Sequence, residues 1–473
     1  MADFVGFNEF VDLLGSAKAE NHFNSVVQHV RDSVTASGAT VARTPVKMND
    51  KFEQEFGLMK KYLLNRYEKV SQCGRTYLDR NGNFVDCIPF EDLPTVRAAK
   101  KAGIKVVSPP ASDPTKQFAP VRTARAGTKS GLLDQFGHPV TCPDGMIPLH
   151  RITLSQMSRC GTFERFFYKT PTPSPGSTHL RSAGVGTPIT PEFGQPVDGP
   201  HFYARCAVTG PSGPYTGSST GLNVWNPNAS PGVMTLSQLW MVGDNLQTAK
   251  GPQFQTVESG WFVYPTLLPG NGLGDDPVLW VFFNPDGYGP RSGYMENAAG
   301  EGFIQLSNDW TFMSPNQLKI STPGGPQIAV QMLWQIQDQD KDGNGRGWYL
   351  YLGTTFDDVE KVGYIPIEYY ANTMLAQSAQ TLAFGGEVGP DYQFGAPRAG
   401  EMGSGELPDG SLTDNFGQVA FQNEMYARTS LSDTNFESVS LSPDFVSIPQ
   451  YNVSLLTDSD NNLVMFFGGP ATS

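Results

Sequence analysis

At 473 residues the chain exceeds one ordinary domain and suits a large β-rich unit with a smaller region attached. Its 51 glycines, 37 prolines and charged fraction of only 17% favour short strands joined by turns over helix bundles. A formal net charge of -13 argues against nucleic acid as a partner, because phosphate binding needs concentrated positive charge.

The opening MADFVGFNEFVDLLGSAKAE lacks a basic stretch followed by an apolar run, so it does not read as a secretion signal, and localisation stays open. Residues 1–72 carry helix-period apolar spacing at Phe7, Phe10, Val11 and Leu14 and again at Phe56, Met59, Tyr62 and Leu63, which predicts a helical start. From Thr76 short β-like pieces follow, with a turn in DRNGNFVDCIPF, a basic stretch at 97–105 and a Pro-rich link. Residues 170–200 are dense in proline, glycine, serine and threonine, the composition of an extended connector without a core. The predicted organisation is therefore an N-terminal α/β region at 1–180, a linker at 181–200 and a β-domain at 201–473. The cysteines are Cys73, Cys87, Cys142, Cys160 and Cys206; an odd number with none beyond Cys206 leaves room for one or two bridges near the N-terminus only.

Beyond His201 the text is strand, turn, strand almost to the end. LNVWNP, TLSQLWMVG, TVESGWFVYPTLL, PVLWVFFNP, GFIQLS, IAVQMLWQIQD, GWYLYLG, VGYIPIEYY, TLAFGGEV and NLVMFFGGP are rich in β-branched and aromatic residues and bounded by Gly, Pro, Asn and Asp. So many short strands imply a closed or double-layered antiparallel structure, since a single open sheet would leave one face unburied. YYANTMLAQSAQ, residues 369–380, reads as the one helix of this half. No run approaches the roughly 18 apolar residues of a membrane-spanning helix, so a soluble protein with no membrane partner is expected.

Most routes to chemistry are excluded. None of His22, His29, His138, His150, His179 and His201 forms HExxH or pairs with a cysteine at ligand spacing, so no metal and no cofactor is expected. There is no GxSxG elbow, Met402 standing where EMGSGEL would need glycine before Ser404, and no GxxxxGK[ST] phosphate loop. Asp338, Asp340, Asp342 and Gly343 begin like a calcium loop, but its twelfth position is Tyr349 rather than glutamate. A polar hairpin turn between MLWQIQ and GWYLYLG is the plainer reading.

What remains is carboxylates set in apolar strands. Glu258 in QTVESGWFVYP and Glu387 in LAFGGEVGP each need a partner to be buried. If the two met on one sheet face, repulsion and desolvation would leave one protonated and one ionised, an acid and a base able to activate water against an amide. Gly385 and Gly386 have no side chains, so a substrate backbone could approach there. From the residues alone, a strand glutamate is more often simply an exposed-face residue.

HFYARCAV, GLNVWNPN, LSQLWMVG, TVESGWFVYP, YIPIEYYANTMLAQSAQTLAFGGEV, EMGSGELPDG and LVMFFGGP occur in an order and spacing that resembles the neprosin family of glutamic peptidases, over roughly residues 200–470. Upstream, DCIPF (86–90) and CPDGMIPLHR (142–151) resemble landmarks of that family's propeptide. The resemblance implies a sandwich of two antiparallel sheets and a catalytic glutamate pair, with the family's E-x-G-W and G-G-E-V glutamates falling on Glu258 and Glu387. It further implies cleavage after proline in peptide or protein substrates, at acid pH and without metal, by a zymogen held latent by its pro-region in cis. On that reading Pro171, Pro173, Pro175, Pro188 and Pro191 offer self-cleavage sites in the connector.

A proline ring packs well on a flat apolar face, which makes Trp261, Tyr264 and Trp225 candidates for its pocket, although such aromatics mainly fill sandwich cores. Strand alternation puts Trp261 on the face opposite Glu258 and gives Tyr264 the same parity as Glu258. Where plant members of the family carry mature-domain cysteines, this chain has Met295, Ala299 and other residues, so an oxidising extracellular setting is not implied. Two rival functions stay open: a non-catalytic β-sandwich that binds carbohydrate or another surface, and a glycosidase using the same two carboxylates.

Overall fold

The computed structural model describes residues 50–67, 70, 73–109, 132–160, 162–167, 169, 201–229, 233–248, 251–265, 267–268, 276–315, 318–338, 344–371, 373–390, 400–432 and 435–471. The helical spacing expected near Phe7, the connector at 170–200, and Asp340, Asp342 and Gly343 lie outside them.

The strands in chain order are β1 Arg75–Leu78, β2 Phe84–Pro89, β3 Met146–His150, β4 Phe202–Gly210, β5 Gly217–Asn223, β6 Val233–Thr248, β7 Gly251–Val263, β8 Val278–Asn284, β9 Gly293–Tyr294, β10 Ile304–Gln305, β11 Ala329–Gln337, β12 Gly347–Gly353, β13 Glu360–Pro366, β14 Thr381–Pro390, β15 Phe421–Arg428, β16 Glu437–Ser438, β17 Ser440–Val446, β18 Asn452–Thr457 and β19 Leu463–Gly468. From β4 onward they form two sheets. One is seven-stranded, ordered β17-β4-β14-β6-β7-β8-β9; the other is nine-stranded, ordered β10-β13-β12-β11-β5-β15-β19-β18, with β16 beside β15. Every pairing is antiparallel.

Alternation along the strands explains why two layers form. Leu239, Val257 and Phe384 of the first sheet and Trp334, Leu350 and Phe467 of the second belong to one buried cluster, the contents of the sandwich. The expected antiparallel two-sheet fold is therefore the observed one. Polar groups also bridge the two sheets: the Trp334 indole donates to Ser259 Oγ at 2.7 Å, and Gln422 Nε2 reaches Ser237 Oγ at 2.9 Å.

The segment 369–380 departs from its expected helix. It holds two short 3₁₀ turns, Ile367–Tyr370 and Met374–Ala376, and then pairs through Ala379 with Tyr215. Tertiary contacts override the local spacing: the Tyr370 hydroxyl donates to the Thr256 carbonyl at 2.9 Å, and the Leu375 carbonyl accepts from the Trp348 indole at 2.9 Å.

The N-terminal region is α/β. Helix α1, Asp50–Tyr67, buries Met59, Tyr62 and Leu63 on the predicted face. β1, β2 and β3 form a three-stranded sheet, and α2, Pro94–Lys101, starts at a proline whose missing N–H costs nothing in a first turn. A disulfide joins Cys87 to Cys142 across 55 residues; Cys73, Cys160 and Cys206 are free thiols. This region packs on the sandwich. Phe90, Leu93, Val96 and Ala99 share a buried cluster with Leu333, Tyr349, Tyr351 and Tyr364 of the nine-stranded sheet. Elsewhere Arg66 and Tyr62 converge on the buried Glu296, and Arg80 pairs with Asp276 at 3.3 Å. Among the described residues no helix is long and apolar enough to cross a membrane.

Candidate active site

β6 lies between β14 and β7, and this order brings together residues far apart in sequence. Glu387 on β14 stands opposite Leu236, Glu258 on β7 stands opposite Trp240, and Gln238 lies between them. Leu236, Gln238 and Trp240 share one face of β6 because alternate residues do, so both glutamates and Gln238 point to the side of the seven-stranded sheet away from the sandwich core.

Both carboxyls are buried, at 0% and 1% exposure. Lys169, which comes just before the connector, covers them: its Nζ donates to Glu258 Oε2 at 2.6 Å, lies 2.7 Å from Glu387 Oε2 and donates to Gln238 Oε1 at 3.0 Å. The two carboxylates thus reach a single nitrogen. The ammonium also lies 5.4 Å from the Trp240 ring centre and 5.5 Å from that of Trp280, within cation–π range.

Each glutamate has further partners of a different kind. The other oxygen of Glu258, Oε1, accepts from Thr256 Oγ1 at 2.7 Å and from the Tyr288 hydroxyl at 2.9 Å. Glu387 Oε1 is bound by His201 Nδ1, and its Oε2 accepts from Gln238 Nε2 at 2.5 Å. Burial works to raise the Glu387 carboxyl, but the Lys169 ammonium and then His201 outweigh it and bring it down to about 2. Burial likewise opposes charge on Lys169, and the two carboxylates beside it win, raising its pKa.

The other residues singled out in the sequence sit as follows. Trp261 and Trp225 are in the core between the sheets, their indoles donating to the Asn223 carbonyl at 3.0 Å and to Asn223 Oδ1. Tyr264, past the end of β7, is half-buried and packs edge-on against Phe262. Gly385 has φ +145°, and a Cβ there would lie 2.3 Å from the Ala204 carbonyl oxygen; one on Gly386 would lie 2.7 Å from Met402 Sδ and the Phe467 ring. These two glycines let β14 approach β4 on one side and the second sheet on the other. Asp338 of the calcium-like stretch pairs with Arg346 at 3.4 Å, and the flanking β11 and β12 pair directly, as a hairpin requires. Among the described residues no cluster of His, Cys, Asp and Glu could hold a metal.

Sequence reasoning missed Lys169, Gln238, Thr256 and Tyr288 and treated His201 only as an isolated histidine. Thr256 had a signal, since residues two apart on a strand share a face with Glu258. The others depend on the order β14-β6-β7 and on a long return of the chain, which no local pattern encodes.

The neprosin family model matches residues 231–470. No curated protein matches the sequence. Among solved structures, scytalido-glutamic peptidase bound to a peptide-based transition state analog is similar at 11% identity and a TM-score of 0.26, covering 57% of this chain and 98% of that one. The same enzyme with another transition state analog inhibitor gives 10%, 0.26, 56% and 97%. The family match takes in half of the chain, including β6, β7 and β14 and both glutamates on the shared face, and on that ground the chain belongs to the neprosin family of glutamic peptidases.

Proposed function

We propose that the protein is a glutamic endopeptidase, made latent, in which Glu258 and Glu387 activate water against a peptide bond. The observation that carries this reading is the convergence of two buried carboxylates on one nitrogen, beside a primary amide and two hydroxyls. Removing Lys169 would leave a site of the right size for a water molecule between an acid and a base. The ammonium that occupies it belongs to the N-terminal region, which supports latency: while Lys169 is docked, both carboxylates are engaged by it and it stands where that water would.

The same contact supports an acid optimum. Release of Lys169 is favoured when the carboxylates take up protons, and a two-glutamate mechanism needs one of them protonated. For proline specificity, the Lys169 ammonium lies over the Trp240 and Trp280 rings, flat apolar faces on which a pyrrolidine ring would pack once the lysine has gone. These two share the carboxylates' face of the sheet, unlike the core residues Trp261 and Trp225, and the half-buried Tyr264 remains a candidate. Residues 1–180 act as the pro-region, with the connector as the site of cutting.

The test is to assay Glu258→Gln and Glu387→Gln on a proline-containing peptide between pH 3 and 7. Each should lose roughly 10²-fold or more in kcat, the usual scale for a general acid or base. Unaltered turnover by either variant would remove that residue from the mechanism. A panel of oligosaccharides run alongside separates the peptidase from a glycosidase acting through the same pair.

A further inference from the structure

Glu258 and Glu387 are chemically identical, and a two-carboxylate mechanism needs them to behave differently. We propose that His201 divides the labour: it positions Glu387 as the base that takes a proton from water and so leaves Glu258 as the acid that protonates the departing nitrogen. This rests on the peptidase reading above and adds to it a residue which that reading does not use.

The partners of the two groups differ in kind. Glu387 meets His201 Nδ1 on one oxygen and the Gln238 amide on the other. With a proton on Nδ1 the ring N–H, like the amide N–H, can only donate, so together they favour the ionised carboxylate at both oxygens. Glu258 Oε1 meets the hydroxyls of Thr256 and Tyr288, each able to donate to a carboxylate or accept from a carboxylic acid, and its Oε2 faces Lys169. When Lys169 leaves, Glu387 keeps a cation source at hydrogen-bond distance and Glu258 does not. His201 is the first described residue after the connector, so it remains with the sandwich when the connector is cut upstream of it.

Among the described residues, the cations that pair with Glu387 are Lys169 and His201. The His201 ring stacks on Tyr203 at 6.4 Å, and the Arg205 guanidinium lies over the Tyr203 and Trp240 rings, where Asp444 pairs with it. On the Glu258 side the titratable groups among the described residues include Tyr288, Lys169 until it departs, and Tyr370, whose hydroxyl donates to the Thr256 carbonyl and whose pKa is raised by burial and then by the Glu258 charge. Lys169 and His201 are the two charges that pull the Glu387 carboxyl down.

The step then balances. Water forms the new bond to the carbonyl carbon and gives its proton to Glu387; the C–N bond breaks and the nitrogen receives the proton held by Glu258. A carboxyl and an amine product leave, and solvent returns the protons to their starting places.

The test uses the full-length chain after acid incubation, comparing wild type, His201→Ala and His201→Asn on a fluorogenic proline-containing peptide. Asparagine places an N–H near the position of Nδ1 but cannot carry charge. In His201→Ala the acid limb of the kcat profile should move up by about one unit or more, the scale of a lost neighbouring charge. Turnover at pH values well below the acid limb then falls about tenfold, with KM little changed and the alkaline limb unmoved. His201→Asn should recover part of the shift. An acid limb unmoved in both His201 variants, with Glu387→Gln inactive, would overturn the role given to His201 alone. Full turnover by Glu387→Gln would overturn the glutamate mechanism and this role with it.

Discussion

Replacing Lys169 by methionine tests whether the buried ammonium holds the chain latent. Methionine keeps most of the stem length and deletes the charge that lies over Trp240 and Trp280, leaving two buried carboxylates without their shared cation. Breaking a buried ion pair from one side costs about 3–5 kcal/mol. The Glu387 carboxyl sets an upper bound on that magnitude: held at about 2 against an ordinary 4.5, it represents about 3 kcal/mol shared between Lys169 and His201. Because this pKa is depressed, the stabilisation is fully present above pH 4.5 and is lost as pH falls through about 2. At about 1.4 kcal/mol per tenfold, the docked form of Lys169→Met should lose about a hundredfold or more at neutral pH. The assay is hydrolysis of a proline-containing peptide by uncut chain, with Pro171, Pro173, Pro175, Pro188 and Pro191 replaced by alanine to keep the connector intact. Uncut Lys169→Met should turn over substrate where its Lys169 counterpart does not. If it stays as silent as that counterpart at every pH from 3 to 7, while acid-cut chain is active, the lysine is not what holds the site shut.

Two other predictions concern the N-terminal region. Burial, and then the nearby Arg66 charge, bring the His150 imidazole down to about 4, so the stability it lends is whole above pH 6.5 and is lost as pH falls through about 4, an effect of about 3 kcal/mol; His150→Gln should flatten the fall in thermal unfolding midpoint between pH 7 and pH 4, and an unchanged fall would count against this. Replacing Cys87 and Cys142 by alanine opens a loop of 55 residues and should destabilise the region by about 2–4 kcal/mol, seen as earlier unfolding of the N-terminal part with the sandwich transition unmoved.

The sandwich was legible because its strands are written in β-branched and aromatic runs broken by turn residues, and β6, β7, β8, β11, β12, β14 and β19 fall where those runs are. β15 was not legible. FQNEMYAR has no clean alternation, and Glu424 takes φ +49° where the register slips between Asn423 and Tyr426. The segment 369–380 misled because its small and apolar residues satisfy a helical period while their backbone groups serve distant strands. The two glutamates were found through a family resemblance, and only strand order could bring Gln238 between them. Lys169 was invisible: one lysine in FFYKTP looks like any other until the chain has folded back over the sheet.

The N-terminal region is held to the sandwich in two physically different ways. At Lys169, Arg66 and Arg80 the contacts are ionic, and proton uptake can dissolve them. Along Phe90, Leu93 and Val96 against Leu333, Tyr349 and Tyr364 the contact is oily, indifferent to acid and strengthened by salts that are excluded from protein surfaces. Proton uptake therefore weakens one kind of fastening and leaves the other whole, so the two give way under different conditions, like a stopper lifted on its chain.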